Sequence, residues 1–189
     1  MKLKFKILII LIAFLNVNFA FCASNFGVYT YQENVIDASK NAHFHNNLGN
    51  VYFEEKNYIG ALAEYETAFN LSPNDNLSAY YLYNIAKCYM TLKRFELAKN
   101  ALLGAIGKNC MNITYYSALV ECFFELNIQK YELEKYLKDK TNPYNEIIAG
   151  LIYIKMNDKT SAKIILDEFI TKNPNMLITP DVKNILGNL

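Results

Sequence analysis

From residue 42 onward, small and aromatic side chains recur at helical spacing in paired segments. Gly49 and Tyr52 lie on one segment; Ala61, Tyr65 and Ala68 lie on the next, closed by Pro73. An apolar period near 3.6 predicts amphipathic helices, and Pro stops them by removing a backbone donor. The same spacing returns in Ala86, Tyr89, Ala98, Leu102 and Ala105, and again in Gly150, Tyr153, Ala162, Leu166 and Phe169 ahead of Pro174. A weaker copy lies between, with Leu119, Val120 and Phe123 followed by Tyr131, Leu133, Tyr136 and Leu137. The pattern divides residues 42–176 into four helical hairpins, 42–75, 79–112, 113–142 and 143–176, with Asn76-Leu77-Ser78 inserted after the first. The third is four residues short, a deficit expected in its inner turn. Antiparallel helices approach closely where small residues meet, so Gly49 is expected opposite Ala61, and Gly150 opposite Ala162. Residues 177–189 predict a short capping helix, with Thr179 as N-cap, Pro180 in the first turn and Val182, Ile185, Leu186 and Leu189 on one face.

The start of the chain follows another pattern. Lys2, Lys4 and Lys6 precede the uncharged run Ile7–Leu15, and the small residues Ala20, Cys22 and Ala23 follow. A basic head, a short apolar run and a small-residue exit predict a secretory signal peptide over 1–23, cut after Ala20, Cys22 or Ala23 or retained as an anchor. The run is shorter than the roughly 20 residues that span a bilayer. Phe21 is too bulky for the small residue that precedes a lipid-modified cysteine. Residues 24–41 read as a linker or a partial helix. The expected location is secreted, periplasmic or in the cell envelope, with a membrane met only through the signal segment if it is uncleaved.

Charge narrows the partners. Residues 24–189 carry 16 basic and 18 acidic side chains, which offers no basic footprint for nucleic acid. Cys88, Cys110 and Cys122 remain after the processing region, an odd number. Cys88 and Cys122 hold the same place in neighbouring hairpins, too far apart for a disulfide, so both read as small buried side chains. His43 and His45 are the only histidines and point apart on a helix, so no metal site is expected. No Gly-rich phosphate loop, Gly-x-Ser-x-Gly elbow or Ser-x-x-Lys motif occurs. No catalytic residue and no cofactor are nominated. Asn70, Asn76 and Asn112 head glycosylation triplets of the kind an Asn-rich chain produces by chance.

Gly49, Tyr52, Ala61, Tyr65, Ala68 and Pro73, at positions 8, 11, 20, 24, 27 and 32 of a unit of about 34 residues, resemble the tetratricopeptide repeat (TPR). His45 departs from the frequent Trp at position 4. The resemblance implies an all-α fold, a right-handed α-solenoid of helix-turn-helix repeats whose first helices line a concave groove. Carried over by register, the groove positions hold His43, Asn46, Asn50 and Phe53, then Tyr80, Tyr83, Asn84, Lys87 and Met90, then Thr114, Ser117, Glu121 and Phe124, and in the last copy Tyr144, Ile147, Leu151 and Ile154. The binding residues expected among them are Asn46, Asn50, Phe53, Tyr80, Tyr83, Asn84, Lys87, Glu121 and Phe124. Of the chaperone-tail clamp, only Asn50 and Asn84 match; Asn46, Thr114 and Ala118 stand where its cations belong, so an adaptor of that kind is disfavoured. The expected function is an exported, non-enzymatic protein-interaction module that docks a protein or peptide segment. Two rivals are a self-assembling subunit of an envelope complex, with oligomers possible, and a small enzyme with an unrecognised site.

Overall fold

A computed structural model describes residues 40–189. The signal peptide expected over 1–23, and the segment over 24–41 apart from its last two residues, lie outside the described residues. Among the described residues there are nine helices and no strand. They are α1 (40–54), α2 (Tyr58–Leu71), α3 (Ser78–Thr91), α4 (Phe95–Lys108), α5 (Ile113–Glu125), α6 (Gln129–Lys138), α7 (Tyr144–Lys155), α8 (Lys159–Lys172) and α9 (Thr179–Gly187). From α2 to α9, each helix packs on the next in the chain, and α5 also touches α7. That ladder of near-neighbour contacts is an all-α repeat solenoid. No helix of the described residues is long and apolar enough to cross a membrane.

One turn is repeated in every hairpin. Lys56, Lys93, Asn127 and Asn157 adopt the left-handed region, with φ of 63°, 56°, 57° and 63°. Each amide bonds back three residues, and the following amide bonds back five, as in Asn57 N–H to Tyr52 O (2.8 Å) and Arg94 N–H to Tyr89 O (2.8 Å). This pair of bonds closes the first helix and satisfies its last carbonyls. The residue after the turn then starts the second helix. Asn57 Oδ1 accepts from Gly60 N–H (3.0 Å), and Asp158 Oδ1 from Ser161 N–H (3.0 Å).

The four left-handed residues are spaced 37, 34 and 30 apart, as are the starts of the four hairpins. The inner turn of the third hairpin is therefore of normal length. The deficit lies in its second helix: α6 has 10 residues, whereas α2, α4 and α8 have 14 each. The expectation of a shortened inner turn is corrected accordingly. The lost turn matters at the junction with the next hairpin. Ala42, Ala68 and Tyr81 form one buried cluster and Ala79, Ala105 and Tyr115 another, at the same three repeat positions. At the third junction the same register brings Asp139 and Asn145, and the Asn145 amide donates to the Asp139 carbonyl (2.9 Å) and carboxylate (3.0 Å). A polar contact replaces the apolar one where the helix stops early.

In the first and last hairpins, the small residue of the first helix lies under a bulky residue of the second. A Cβ on Gly49 would fall 2.6 Å from the Tyr65 ring, and one on Gly150 would fall 2.7 Å from Leu166 Cγ. The bulky residues set the closest approach; Ala61 and Ala162, buried themselves, are not the nearest side chains to these glycines. The third hairpin has neither small partner. Val120 and Glu132 take the two positions, and the Glu132 carboxylate, 7% exposed, accepts from Lys135 Nζ at 2.8 Å.

α9 closes the array. Ile178 and Val182 are fully buried in the main core with Leu166 and Phe169. Ile178, not Thr179, is the N-cap; the Thr179 hydroxyl instead donates to Asn173 O (2.6 Å) and ties α9 to the end of α8.

Gly150→Ala is expected to destabilise the fold by about 1–2 kcal/mol in urea unfolding, because overpacking outweighs the gain in helix propensity. At Gly107, where a Cβ meets nothing within 4 Å, the same change should be neutral or stabilise by about 0.5 kcal/mol.

Candidate functional site

The first helices α1, α3, α5 and α7 carry the groove residues expected by register, and the structure sorts them by depth. Asn46 (3% exposed) and Asn84 (0%) lie beneath the surface, with Asn84 Nδ2 donating to Asn46 Oδ1 at 3.0 Å. This bond ties α1 to α3 rather than facing outward. Asn84 Oδ1 is buried without a hydrogen-bond partner, which leaves one unsatisfied acceptor beneath the surface. Asn50 is half-buried, and its Oδ1 accepts from the Tyr65 hydroxyl at 2.8 Å. The Asn50 amide thus links the groove to the residue that covers Gly49.

Above this floor runs an aromatic and charged strip. Phe53 packs edge-on against Tyr58, with centroids 5.2 Å apart, and the Lys87 ammonium lies 4.6 Å from the Phe53 centroid. Lys87 also lies 6.0 Å from the Tyr83 centroid, and Tyr83 packs against Tyr115 at 5.1 Å. Burial raises the Tyr83 hydroxyl pKa, with nearby Tyr80 adding to the shift. Tyr80 is 40% exposed and is the most accessible of these rings. On the α5–α7 side, Lys155 pairs with Glu121 and sits 5.2 Å from the Phe124 centroid. Cations on ring faces hold both partners in place.

The contacts therefore join Phe53, Tyr83 and Lys87 in one constellation and Glu121 with Phe124 in another. Lys155 also belongs to the strip, and buried Tyr115, 3% exposed, supports it from beneath Tyr83; both fall outside the register positions that nominate the others. A tyrosine one position past Thr114, and a lysine one past Ile154, were the available signals. The apolar end is mostly core: Ile147 is fully buried, and Tyr144 stacks on Tyr116 with centroids 6.0 Å apart. Leu151 and Ile154 are half-buried.

Among the described residues, no three His, Cys, Asp or Glu side chains gather as a metal site. His43 is exposed, and His45 Nδ1 bonds to Glu64 Oε2 at 2.6 Å. Cys88 and Cys122 are fully buried free thiols, and burial pushes both pKa values up to about 11. Cys110 is half-buried, with its thiol against the Tyr144 hydroxyl at 3.1 Å.

Sequence models of the tetratricopeptide repeat match residues 42–75, 79–107 and 148–175. Among solved structures, a tetratricopeptide repeat protein from Parabacteroides merdae ATCC 43184 is 16% identical with a TM-score of 0.51. That match covers 78% of this chain, which spans 59% of the other's length, and the likeness is one of fold. A MamA crystal structure is 15% identical over 79% of this chain and 86% of its own, with a TM-score of 0.49. The pilF protein of Pseudomonas aeruginosa is 17% identical over 77% and 69%, with a TM-score of 0.48. No curated protein matches the chain.

At pH 8, iodoacetamide should modify Cys110 in the folded chain well before Cys88 and Cys122, because only the thiolate reacts and the latter two are buried and protonated. Peptide mapping reads the order. Equal labelling of all three in the folded state would contradict the packing of α3 and α5.

Proposed function

Because the chain is a tetratricopeptide-repeat protein, we propose that it is a non-enzymatic interaction module. Its groove, lined by α1, α3, α5 and α7, docks a protein or peptide segment. The observation that carries this reading is the strip of half-exposed aromatic side chains at corresponding faces of successive first helices, above all Tyr80, Tyr83, Phe53 and Phe124. Rings of this kind supply contact area at low conformational cost, and they rank among the residues that dominate interface energies. The strip is rigid for a physical reason. Tyr83 rests on Tyr115, and Phe53 on Tyr58, so little side-chain entropy is lost when a partner arrives.

The reading includes export. Lys2, Lys4 and Lys6 ahead of Ile7–Leu15 support delivery across a membrane, to the outside of the cell or its envelope. Terminal sequencing of the chain recovered from an envelope fraction should find a start just after Ala20, Cys22 or Ala23. Recovery only of the intact terminus from the cytoplasm would remove the export part.

Docking is tested by affinity capture with the full chain against the doubly substituted Tyr80→Ala/Tyr83→Ala chain. Loss of two anchors is expected to lower capture of the specific partner by at least about tenfold while the helical circular dichroism is unchanged. Capture that ignores both substitutions would show that the groove is not the docking surface.

A further inference from the structure

The groove holds two lysines on phenylalanine rings, and the two sites differ in one charge. At the α5–α7 site the Lys155 ammonium rests 5.2 Å from the Phe124 centroid and is paired with the Glu121 carboxylate. At the α1–α3 site the Lys87 ammonium rests 4.6 Å from the Phe53 centroid. Phe53 and Phe124 hold the same position in their hairpins, and so do Asn50 and Glu121. Neutral Asn50 thus stands where the other site has its acid, and its amide oxygen is already taken by the Tyr65 hydroxyl. Among the described residues, no carboxylate makes an ion pair with Lys87.

Lys87 is half-buried, and its ammonium lies over the Phe53 ring at 4.6 Å and near the Tyr83 ring at 6.0 Å. Ring quadrupoles attract the cation and fix its place, but they do not neutralise it. A carboxylate that arrives there meets a donor already positioned, so a charge-assisted bond forms with little further ordering. A cation placed there instead would meet uncompensated repulsion, which adds selectivity.

We propose that the groove selects an extended peptide segment carrying an Asp or Glu side chain that pairs with Lys87, beside an apolar residue that rests on Tyr80 and Tyr83. This rests on the groove-docking reading above. Lys87 stands on α3, the second of the four first helices, and half-exposed rings stand at one repeat position on the first helices before and after it, Phe53 on α1 and Phe124 on α5. A carboxylate here belongs to a side chain within the segment; a chain terminus would leave one side of the strip empty.

The test uses immobilised decapeptide mixtures in which a central residue is fixed as Glu, Gln, Leu or Lys, each with either an amidated or a free C-terminus. The full chain is applied at low and at high salt. Glu mixtures are expected to retain about fivefold more chain than Gln mixtures at low salt, with the advantage shrinking as salt rises. That advantage should vanish in Lys87→Met, which keeps the apolar stem, and in Asn50→Glu, which supplies the acid from within the chain. Both variants should keep the parent's circular dichroism. Equal retention on Glu and Gln, a preference that survives Lys87→Met, or a gain that follows the free C-terminus would overturn the inference. Equal retention that is still lost in Tyr80→Ala/Tyr83→Ala would leave groove docking standing without the carboxylate. Retention on none of the mixtures would remove both.

Discussion

The geometry of this chain depends on how each first helix is stopped. A residue in the left-handed region at the fifteenth position, lysine twice and asparagine twice, turns the backbone so that two amides reach back to the carbonyls of the last helical turn. None of the four is glycine, so each hairpin tolerates a conformation that costs a side-chain-bearing residue about 1 kcal/mol or more. The return is a fixed crossing of the two helices. That crossing sets Tyr65 over Gly49 and Leu166 over Gly150, and it leaves the other face of each first helix toward the groove. The Tyr65 hydroxyl then reaches Asn50, so the residue that fills the hairpin also braces the groove wall.

The third hairpin shows what happens when this scheme is relaxed. Its inner turn is kept, while its second helix loses its final turn and its packing positions become Val120 and Glu132. A carboxylate 7% exposed at a position that holds alanine elsewhere needs its partner Lys135, and the junction to α7 is held by Asn145 on Asp139 in place of an alanine-tyrosine cluster. Glu132 and Asn145 are buried, but their partners Lys135 and Asp139 are exposed to water, so these contacts give little net stability. With 10 residues and Leu133 as its one buried apolar side chain, α6 is expected to open locally at a lower free energy than the 14-residue second helices α2, α4 and α8.

Much of the solenoid was legible in the sequence because its determinants are local. Gly49, Ala86 and Gly150 at one position, and Ala61, Ala98 and Ala162 at another, can be found by counting along the chain. What counting misses is which side chain meets which across the hairpin. The glycines are nearest Tyr65 and Leu166, because a Cβ-less site accepts the largest neighbour and not another small one. The missing residues of the third hairpin were misplaced for a related reason: a length deficit carries no sign of where it falls, whereas the αL turn at Asn127 does. At the groove, register identified the helix face but not the depth. Asn46 and Asn84 fall on the edge between groove and interior, and it takes their burial and mutual hydrogen bond to show that they are below the surface. Lys155 was invisible for the opposite reason, since its long side chain reaches the strip from a position adjacent to one that faces it, and buried Tyr115 supports Tyr83 from the core side.

The central claim is that small first-helix residues exist to receive a bulky second-helix side chain, and a double-mutant cycle on Gly49 and Tyr65 tests it most directly. Alone, Gly49→Ala should destabilise the chain, because the new methyl drives into the Tyr65 ring. In a Tyr65→Ala background the same methyl enters vacated space, so Gly49→Ala should become stabilising, with a coupling of about 1–3 kcal/mol. If the two changes add within about 0.5 kcal/mol, the glycine is not there to seat the tyrosine, and the account of how the hairpins close is contradicted.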